Sequence, residues 1–283
     1  MKQDEKLKRQ AEKYVKKHSK DKKEPGKISF PYVIILIICV LAIGGSSAYM
    51  YKMYSKRGKA VKTYESMQTE VNDNNKDNKD VKKEPEKEYD IPEKNLDFAK
   101  LKEENPDIYA WIYIPETNVD YPLVQHPTND TYYLMHNLDG SYGYPACLYT
   151  EKANAKDFSD KNTVIYGHDM QDGSMFKTLH KFEDRAFFDA NEFIYVYTEN
   201  TTYVYKVYAA YKYSNIHLLN GIDTSTNENF LSYIRDSINT ANVTGFVRND
   251  ISFDENSKLI TLSTCQGYVS EQRYLVQGVL VQQ

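Results

Sequence analysis

Residues 258–281 read KLITLSTCQGYVSEQRYLVQGVLV, and this stretch decides how the chain is expected to fold. Two segments of it, 258–264 and 274–281, are rich in Leu, Ile, Val, Thr and Tyr, a composition that favours β-strands. Cys265 lies where the first segment ends, and Arg273 lies where the second begins. If the two strands are neighbours in one sheet, the thiol and the guanidinium face the same end of it.

Six further stretches of the same character precede these two strands. They are separated by Pro, Gly, Asn and Asp, which mark turns, and they cover 110–114, 121–124, 146–149, 162–166, 193–198 and 201–213. Two helices are predicted among them, at 96–105 before Pro106 and at 227–240, where Phe230, Ile234 and Ile238 share one face. Residues 94–283 therefore predict a mainly β domain with a few helices, a closed or nearly closed eight-stranded barrel.

The part of the chain before this domain predicts three consecutive segments. Residues 1–27 are rich in lysine and poor in apolar residues, and they predict a solvated basic tail. Residues 28–50 (ISFPYVIILIICVLAIGGSSAYM) carry no charge and are long enough to span a hydrocarbon core of roughly 30 Å. Residues 51–93 are rich in Lys, Asp, Glu and Asn, which indicates a flexible charged linker or a partly helical stalk.

A cleaved signal peptide is the alternative for residues 28–50. Its apolar region would be only about 7–15 residues long and would end in a small-x-small site. The apolar run here is longer and starts later, which favours a single transmembrane helix. Because the longer basic block precedes the run, we expect the N-terminus in the cytoplasm and the barrel outside the cell.

Charge and cysteine content exclude several functional classes. The chain carries 36 basic and 40 acidic residues, a net charge of -4, which gives no reason to expect nucleic-acid binding. Its three cysteines, Cys39, Cys147 and Cys265, form no pair with zinc-ligand spacing, so no metal site is expected. Cys147 and Cys265 could form one disulfide. The alternative is a Cys265 thiol that stays reduced for chemistry, and its position at the end of a strand favours this.

A thiol nucleophile needs a partner that moves protons, and an acyl-transfer site needs a donor for the oxygen that gains charge. Arg273 is a candidate for the second role, because its guanidinium donates hydrogen bonds and does not act as a base. The chain has six histidines, of which His18 lies in the tail. His168 follows the strand at 162–166 and lies on a loop at its end, where a side chain can reach the rim of a barrel. Position alone does not decide between His168 and the other histidines.

Four stretches of the chain carry a family resemblance. TLSTC at 261–265 with Arg273 eight residues later, together with NTVIYGHDMQDGSMF at 162–176, resembles the sortase family and specifically its class B. NPDIYAWIYIPETNVDYPLVQ at 105–125 and YLMHNLDGSYGYPACLYTE at 133–151 resemble the segments that open the domain in this family. The resemblance therefore extends from residue 96 to the C-terminus.

The resemblance implies a sortase-type barrel on the surface of a Gram-positive cell, with Cys265, His168 and Arg273 as its catalytic residues. Cys265 would cleave a C-terminal sorting signal after threonine, with the motif Asn-Pro-x-Thr, and form a thioacyl-enzyme. An amine of a peptidoglycan precursor would then resolve the thioester, which anchors the surface protein to the cell wall. Ser263 and Thr264 match the class B motif and are expected to contact substrate; for Ser263 an ordinary strand position is the alternative. No cofactor is implied.

Several alternatives stay open at this stage. A pilus-polymerising sortase would use a lysine of another pilin as the amine, and a hydrolytic thiol protease would use water, with the same catalytic residues. A barrel that serves only as a membrane-tethered binding module is a third possibility, which the intact catalytic residues argue against. Cys147 is expected to be a buried free thiol. No third partner for His168 can be chosen among Asn129, Asp130 and Asp169.

Overall fold

The computed structural model describes residues 2–18, 30–73, 89–267 and 269–283. They fall into two units, Met1–Lys52 and Met53–Gln283. In the first unit, helix α1 covers Lys2–His18, and its residues 4–17 are exposed. The segment 1–27 was predicted as a solvated tail, and this part of it is helical because Lys, Glu, Gln and Ala are good helix formers. Residues 19–27 lie outside the described residues.

Helix α2 covers Phe30–Asp73. Among the described residues it alone has the length and the apolar composition needed to cross a bilayer, with a mean hydropathy of 2.4 in its most apolar window and none of that window buried. Residues 30–50 of the predicted transmembrane segment, 28–50, lie in this helix, and residues 28 and 29 lie outside the described residues. The boundaries of the four predicted segments stay predictions.

The second unit begins with the C-terminal part of α2, from Met53 to Asp73. Tyr64, Met67 and Val71 lie on one face of it, at spacings of three and four residues, and are buried in the main hydrophobic core. The stretch predicted as a flexible linker or a partly helical stalk is therefore helical as far as Asp73 and packs on the domain. Residues 74–88 lie outside the described residues.

In the described part of the chain, nine strands form a single sheet. In chain order they are β1 Ile108–Tyr113, β2 Asp120–Val124, β3 Leu148–Tyr149, β4 Asn162–Tyr166, β5 Phe193–Tyr197, β6 Thr202–Ser214, β7 Gly245–Val247, β8 Leu259–Gln266 and β9 Val269–Gln282. The order across the sheet is β5-β1-β2-β3-β4-β8-β9-β6-β7, and a further pairing of β5 with β6 closes a barrel of eight strands. The predicted eight-stranded barrel is thus confirmed. Sequence reasoning missed β7, which has three residues and pairs outside the closed ring.

Three further helices and two 3₁₀ turns lie before or between the described strands. Helix α3 covers Phe98–Glu104, α4 covers Arg185–Ala190 and α5 covers Asn227–Thr244, and the 3₁₀ turns cover Tyr132–Leu134 and Lys177–Glu183. Helix α5 begins at Thr226, whose hydroxyl accepts from the amide of Asn229. It runs four residues beyond the predicted end at 240, because Ala241 is still buried against the barrel and Gly245 closes the helix with a bond to its carbonyl.

A buried polar network joins α5 to three strands of the barrel. The carboxamide of Gln277, on β9, is fully buried. It donates to the hydroxyls of Tyr233 on α5 (2.6 Å) and Thr261 on β8 (2.9 Å). It accepts from Tyr208 (2.9 Å) and Tyr211 (3.0 Å) on β6. Both donors and both acceptor sites of the amide are therefore used, as burial of such a group requires.

Candidate active site

The sheet register brings Cys265 and Arg273 to one end of the barrel. Strands β8 and β9 are antiparallel neighbours, and Cys265 is the direct partner of Arg273 in the ladder. Strands β4 and β8 are parallel, with Tyr166 opposite Ser263, so both strands end at this same mouth. The amide of Gly167 continues the pairing by donating to the carbonyl of Ser263 (3.1 Å). His168 is the next residue along the chain.

The three predicted catalytic residues line one cavity of about 280 Å³. The remaining lining residues come from the ends of β3, β4, β6, β8 and β9 and from the loops beside them: Thr131, Leu134, Tyr149, Glu151, Tyr166, Gly167, Tyr213, Asn215, Ile216, His217, Leu218, Ser263, Thr264 and Leu275. More apolar than polar surface faces this space, although it contains a thiol, a guanidinium and two imidazoles. The structure thus brings together the residues on which the sequence analysis depends, and their catalytic roles stay predictions.

His168 is half-buried and held by two contacts. Its Nε2 lies 2.6 Å from the carbonyl oxygen of Leu134, and its ring meets that of Tyr144 edge-on with centroids 5.0 Å apart. Burial lowers the pKa of His168 below its usual 6.5, and the bond to Leu134, which raises it, offsets only part of this effect. The ring is therefore neutral near pH 7. Because a carbonyl only accepts, Nε2 carries the proton and Nδ1 carries the lone pair.

Gly167 allows His168 to lie close to the barrel wall. A Cβ atom at this position would come within 2.6 Å of the Phe176 ring, which is closer than real Cβ atoms approach other heavy atoms. The amide of Phe176 also donates to the carbonyl of His168 (3.0 Å), so the loop folds back directly onto the strand end. The glycine before the histidine is thus a packing requirement of the site.

Cys147 and Cys265, the two cysteines of the second unit, are both free thiols. The disulfide between them that was considered from sequence is therefore not formed. Cys265 is partly accessible, whereas Cys147 is buried. The Cys147 sulfur lies 3.3 Å from the Tyr64 hydroxyl and 3.3 Å from the carbonyl oxygen of His136. Burial raises the pKa of the Cys147 thiol to about 12, so this cysteine stays protonated and unreactive.

Ser263 and Thr264 are 5% and 2% exposed and contribute to the cavity wall. The Thr264 hydroxyl is buried and makes no hydrogen bond within the described part of the chain. A substrate-binding role for these two residues stays a prediction.

Arg273 donates from Nη1 to the carbonyl oxygen of the preceding residue, Gln272 (3.0 Å). It is the cationic side chain in the cavity lining. Glu151 is the acidic one, and its carboxylate accepts from Nε2 of His217 (2.9 Å). This Glu151–His217 pair was not found from sequence, since 66 residues separate its members along the chain.

The three residues weighed as partners of His168 make other contacts. The Asn129 side chain accepts from Thr131, and Asp130 accepts from the amide of Lys152. Asp169 accepts from the amide of Gly267 (3.1 Å), in the turn that follows the cysteine. In the described ranges, no group of three or more His, Cys, Asp or Glu residues has the geometry of a metal site.

Comparison with known proteins places these observations in a family. Residues 112–281 match the family model described as the Sortase domain. Sortase B of Listeria monocytogenes is 30% identical over 156 residues, which cover 53% of this chain and 60% of that protein, so the match spans about three fifths of the relative's length.

Solved structures agree with this match. The X-ray structure of Clostridium perfringens sortase B superimposes with a TM-score of 0.59 at 28% identity, covering 65% of this chain and 99% of that one. A Staphylococcus aureus sortase B–substrate complex gives a TM-score of 0.63 and covers 81% of this chain and 99% of that one; at 22% identity it supports the fold alone.

Proposed function

Because the chain belongs to the sortase family, we propose that it is a membrane-anchored class B cysteine transpeptidase that joins surface proteins to an amine of the cell wall. The observation that carries the proposal is the meeting of Cys265, His168 and Arg273 in one cavity at the ends of β4, β8 and β9. A thiol, an imidazole that is neutral at pH 7 and a fixed positive charge are the groups that acyl transfer between amines requires.

The first half-reaction forms a thioacyl-enzyme. The Cys265 sulfur attacks the carbonyl carbon of threonine in the sorting signal, and His168 takes the thiol proton at Nδ1. The carbon–nitrogen bond then breaks, and the same proton passes from His168 to the leaving amine. In the second half-reaction the incoming amine attacks the carbonyl carbon of the thioester, and His168 takes a proton from the amine. The carbon–sulfur bond then breaks, and His168 returns the proton to sulfur, which restores the thiol of Cys265.

Arg273 acts on the charge that develops during both steps. The carbonyl oxygen becomes negative in each tetrahedral intermediate, and a guanidinium directly opposite the cysteine in the ladder is suited to donate to it. Ser263 and Thr264, in the cavity wall before the cysteine, are proposed to contact the substrate backbone. The unpartnered Thr264 hydroxyl is suited to this, since a buried hydroxyl gains a partner when a peptide binds.

The remaining parts of the proposal concern place and partners. We propose that residues 28–50 anchor the chain in the membrane, with the N-terminus in the cytoplasm and the barrel outside, as the apolar helix α2 and the basic flanks suggest. The sorting signal is proposed to be of the Asn-Pro-x-Thr type and the acceptor a peptidoglycan precursor amine. Neither nucleic acid nor a cofactor is part of the reaction.

Product analysis tests the reaction. The full chain in detergent is incubated with an Asn-Pro-x-Thr peptide, with and without an added amine, and the products are identified by mass spectrometry. We expect a peptide–amine product that depends on the amine, a thioester adduct on Cys265, and neither with Cys265→Ala. Cleavage by Cys265→Ala would refute the nucleophile assignment, and water as the only acceptor would make the protein a hydrolytic peptidase. Transfer to a pilin lysine in preference to a cell-wall amine would identify a pilus-polymerising enzyme.

A further inference from the structure

The turn that follows Cys265 is held by side chains from a different part of the chain. The β8–β9 ladder is regular as far as the pair Cys265–Arg273, and its register shifts between Cys265 and Gln266. The regular pairing is therefore interrupted directly after the nucleophile, and one further pair, Gln266–Val269, follows the irregularity. Three side chains from residues 169–183 support the backbone at this point. Each of them contacts one of the three consecutive residues Cys265, Gln266 and Gly267.

His180 makes the first of these contacts. Its Nε2 lies 3.1 Å from the carbonyl oxygen of Cys265, and its ring stacks on Tyr274 with centroids 5.0 Å apart. Its Nδ1 lies 2.7 Å from a carboxylate oxygen of Glu183. Each ring nitrogen thus lies within hydrogen-bond distance of an oxygen that only accepts. The side chain is 17% exposed, which limits competition from water for these bonds.

Glu183 makes the second contact and orients His180 at the same time. The carboxylate oxygen that accepts from His180 also accepts from Nε2 of Gln266 (3.1 Å). Partial burial raises the pKa of Glu183, but the hydrogen bonds from His180 and Gln266 outweigh this and lower it. Glu183 is therefore ionised, as an acceptor of two bonds needs to be.

Asp169 makes the third contact and joins the two halves of the catalytic centre. It directly follows His168, and its carboxylate accepts from the amide of Gly267 (3.1 Å). The same oxygen lies 3.5 Å from Nε2 of His180, and the other oxygen lies 3.0 Å from the ammonium of Lys177. The carboxylate is only 5% exposed. The loop that carries His168 is thus bonded to the turn that carries Cys265.

We propose that His180, oriented by Glu183 and acting with Asp169, is a positioning residue that keeps the Cys265 thiol aligned with His168. His180 touches the carbonyl of the nucleophile and not the reacting atoms, so its effect on the reaction passes through the backbone of Cys265. The proposal rests on the proposed acyl-transfer function. A displacement of about 1 Å in a catalytic group can cost on the order of 100-fold in rate, so the loss of this support is expected to affect turnover more than binding.

Two histidine-to-phenylalanine variants of the full chain in detergent test the proposal. His180→Phe keeps a ring for stacking on Tyr274 and removes the two ring nitrogens that contact Glu183 and the carbonyl of Cys265. His126→Phe is the matched control, because this histidine lies in the loop after β2, where its Nδ1 accepts from the amides of Thr128 and Asn129 and its ring packs on Tyr132, a contact that phenylalanine can keep. For each variant, kcat and KM of peptide–amine transfer are measured, together with the rate at which the peptide 259–272 exchanges its amide hydrogens. His180→Gln is measured as well, since it retains one donor.

We expect His180→Phe to lower kcat at least tenfold with KM within twofold, and to speed amide exchange in 259–272 at least tenfold. His180→Gln, which retains one donor, should show smaller changes in kcat and in exchange. The control should stay within twofold of the native chain in every measurement. A kcat within twofold for His180→Phe, a rise in KM alone, or unchanged exchange in 259–272 would each overturn the proposal. If His180→Phe does not fold, Glu183→Ala, which loses the contacts to His180 and Gln266, takes its place with the same criteria.

The two measurements separate this proposal from the function on which it rests. Exchange in 259–272 reports on the turn whether or not the protein transfers peptides. If the native chain shows no transfer but His180→Phe speeds the exchange, the proposed function fails and the support of the turn by His180 stands. If the native chain transfers and His180→Phe changes neither quantity, the function stands and the positioning role is wrong.

Discussion

Replacement of Gln277 by alanine should destabilise the barrel at the strands that carry the cysteine and the arginine. The change removes four buried hydrogen bonds, two to which the amide donates and two that it accepts. The hydroxyls of Tyr208 and Tyr211 lose their shared acceptor, and Ser237 lies 3.2 Å from the Tyr208 hydroxyl. Ser237 donates its own hydrogen to the carbonyl of Ile234 (2.8 Å), so its oxygen can accept from Tyr208, whereas Tyr211 is left without the acceptor that it had.

The size of the effect follows from the number of hydroxyls that lose a partner. A buried polar group without a hydrogen bond costs about 1–3 kcal/mol. One to two such groups are created here, so we expect a loss of roughly 2–4 kcal/mol in the free energy of unfolding. For a domain of this size, each kcal/mol lowers the Tm by about 2–4 °C, so the Tm should fall by roughly 5–15 °C.

The chain offers a direct assay and a matched control. Trp111 is the only tryptophan, it is fully buried in β1, and its fluorescence reports on unfolding of the barrel. Gln283→Ala removes an exposed glutamine at the end of the chain and should leave the Tm within about 1 °C.

A second substitution tests the physical reason for the loss. Tyr211→Phe alone removes one partner from a buried amide and should lower the Tm. Added to Gln277→Ala, it removes a hydroxyl that has lost its acceptor, so the double variant should be less destabilised than the sum of the single changes by at least about 0.5 kcal/mol. Strict additivity, or a Tm within about 2 °C of native for Gln277→Ala, would refute the reasoning.

Three further predictions concern the site. Because burial lowers the pKa of His168, kcat/KM of transfer should decrease as the pH is lowered, with a midpoint below pH 6.5. A midpoint above pH 6.5 in the pH–rate profile would contradict the neutral ring. Iodoacetamide should alkylate Cys265 but not the buried Cys147 in the native chain, and both after denaturation, as peptide mass spectrometry can show; equal labelling in the native chain would contradict the burial. Gly167→Ala should lower kcat at least tenfold, because the new Cβ would come within 2.6 Å of the Phe176 ring. The control, Gly44→Ala, changes an exposed glycine and should leave kcat unaltered. An unchanged kcat for Gly167→Ala would show that the loop can move to accept the methyl group.

Local sequence pattern was sufficient for most of the barrel. Strand β4 has the predicted bounds, 162–166, because a short run of Val, Ile and Tyr between turn residues is a local signal. The neighbouring positions of Cys265 and Arg273 were also predictable, since two strands joined by a short turn usually pair with each other. Strand β7 was missed because it has three residues and its pairing with β6 is a property of the folded barrel.

The remaining errors and omissions involve partners that lie far apart in sequence. Tyr64, Met67 and Val71 are single apolar residues in a charged stretch, and only their burial shows that this part of α2 belongs to the core. Likewise, His180 was not singled out among the histidines, since its partner Cys265 lies 85 residues away. Composition and periodicity do not report such contacts, and the catalytic roles of His168, Cys265 and Arg273 stay predictions until the substitutions are made.

The order of strands in the barrel has a consequence for the synthesis of the chain. Strand β4 needs β8 as its parallel neighbour, with Asn162 opposite Leu259, and β9 completes the ring between β8 and β6. A chain that emerges from the ribosome N-terminus first therefore cannot close the barrel until its last strand is made. Pairings this distant in sequence fold slowly and leave strand edges exposed meanwhile. Since Cys265 and Arg273 lie on the last two strands of the ring, a nascent chain forms the cavity that holds them only when the barrel closes, and an unfinished chain carries the thiol without that cavity.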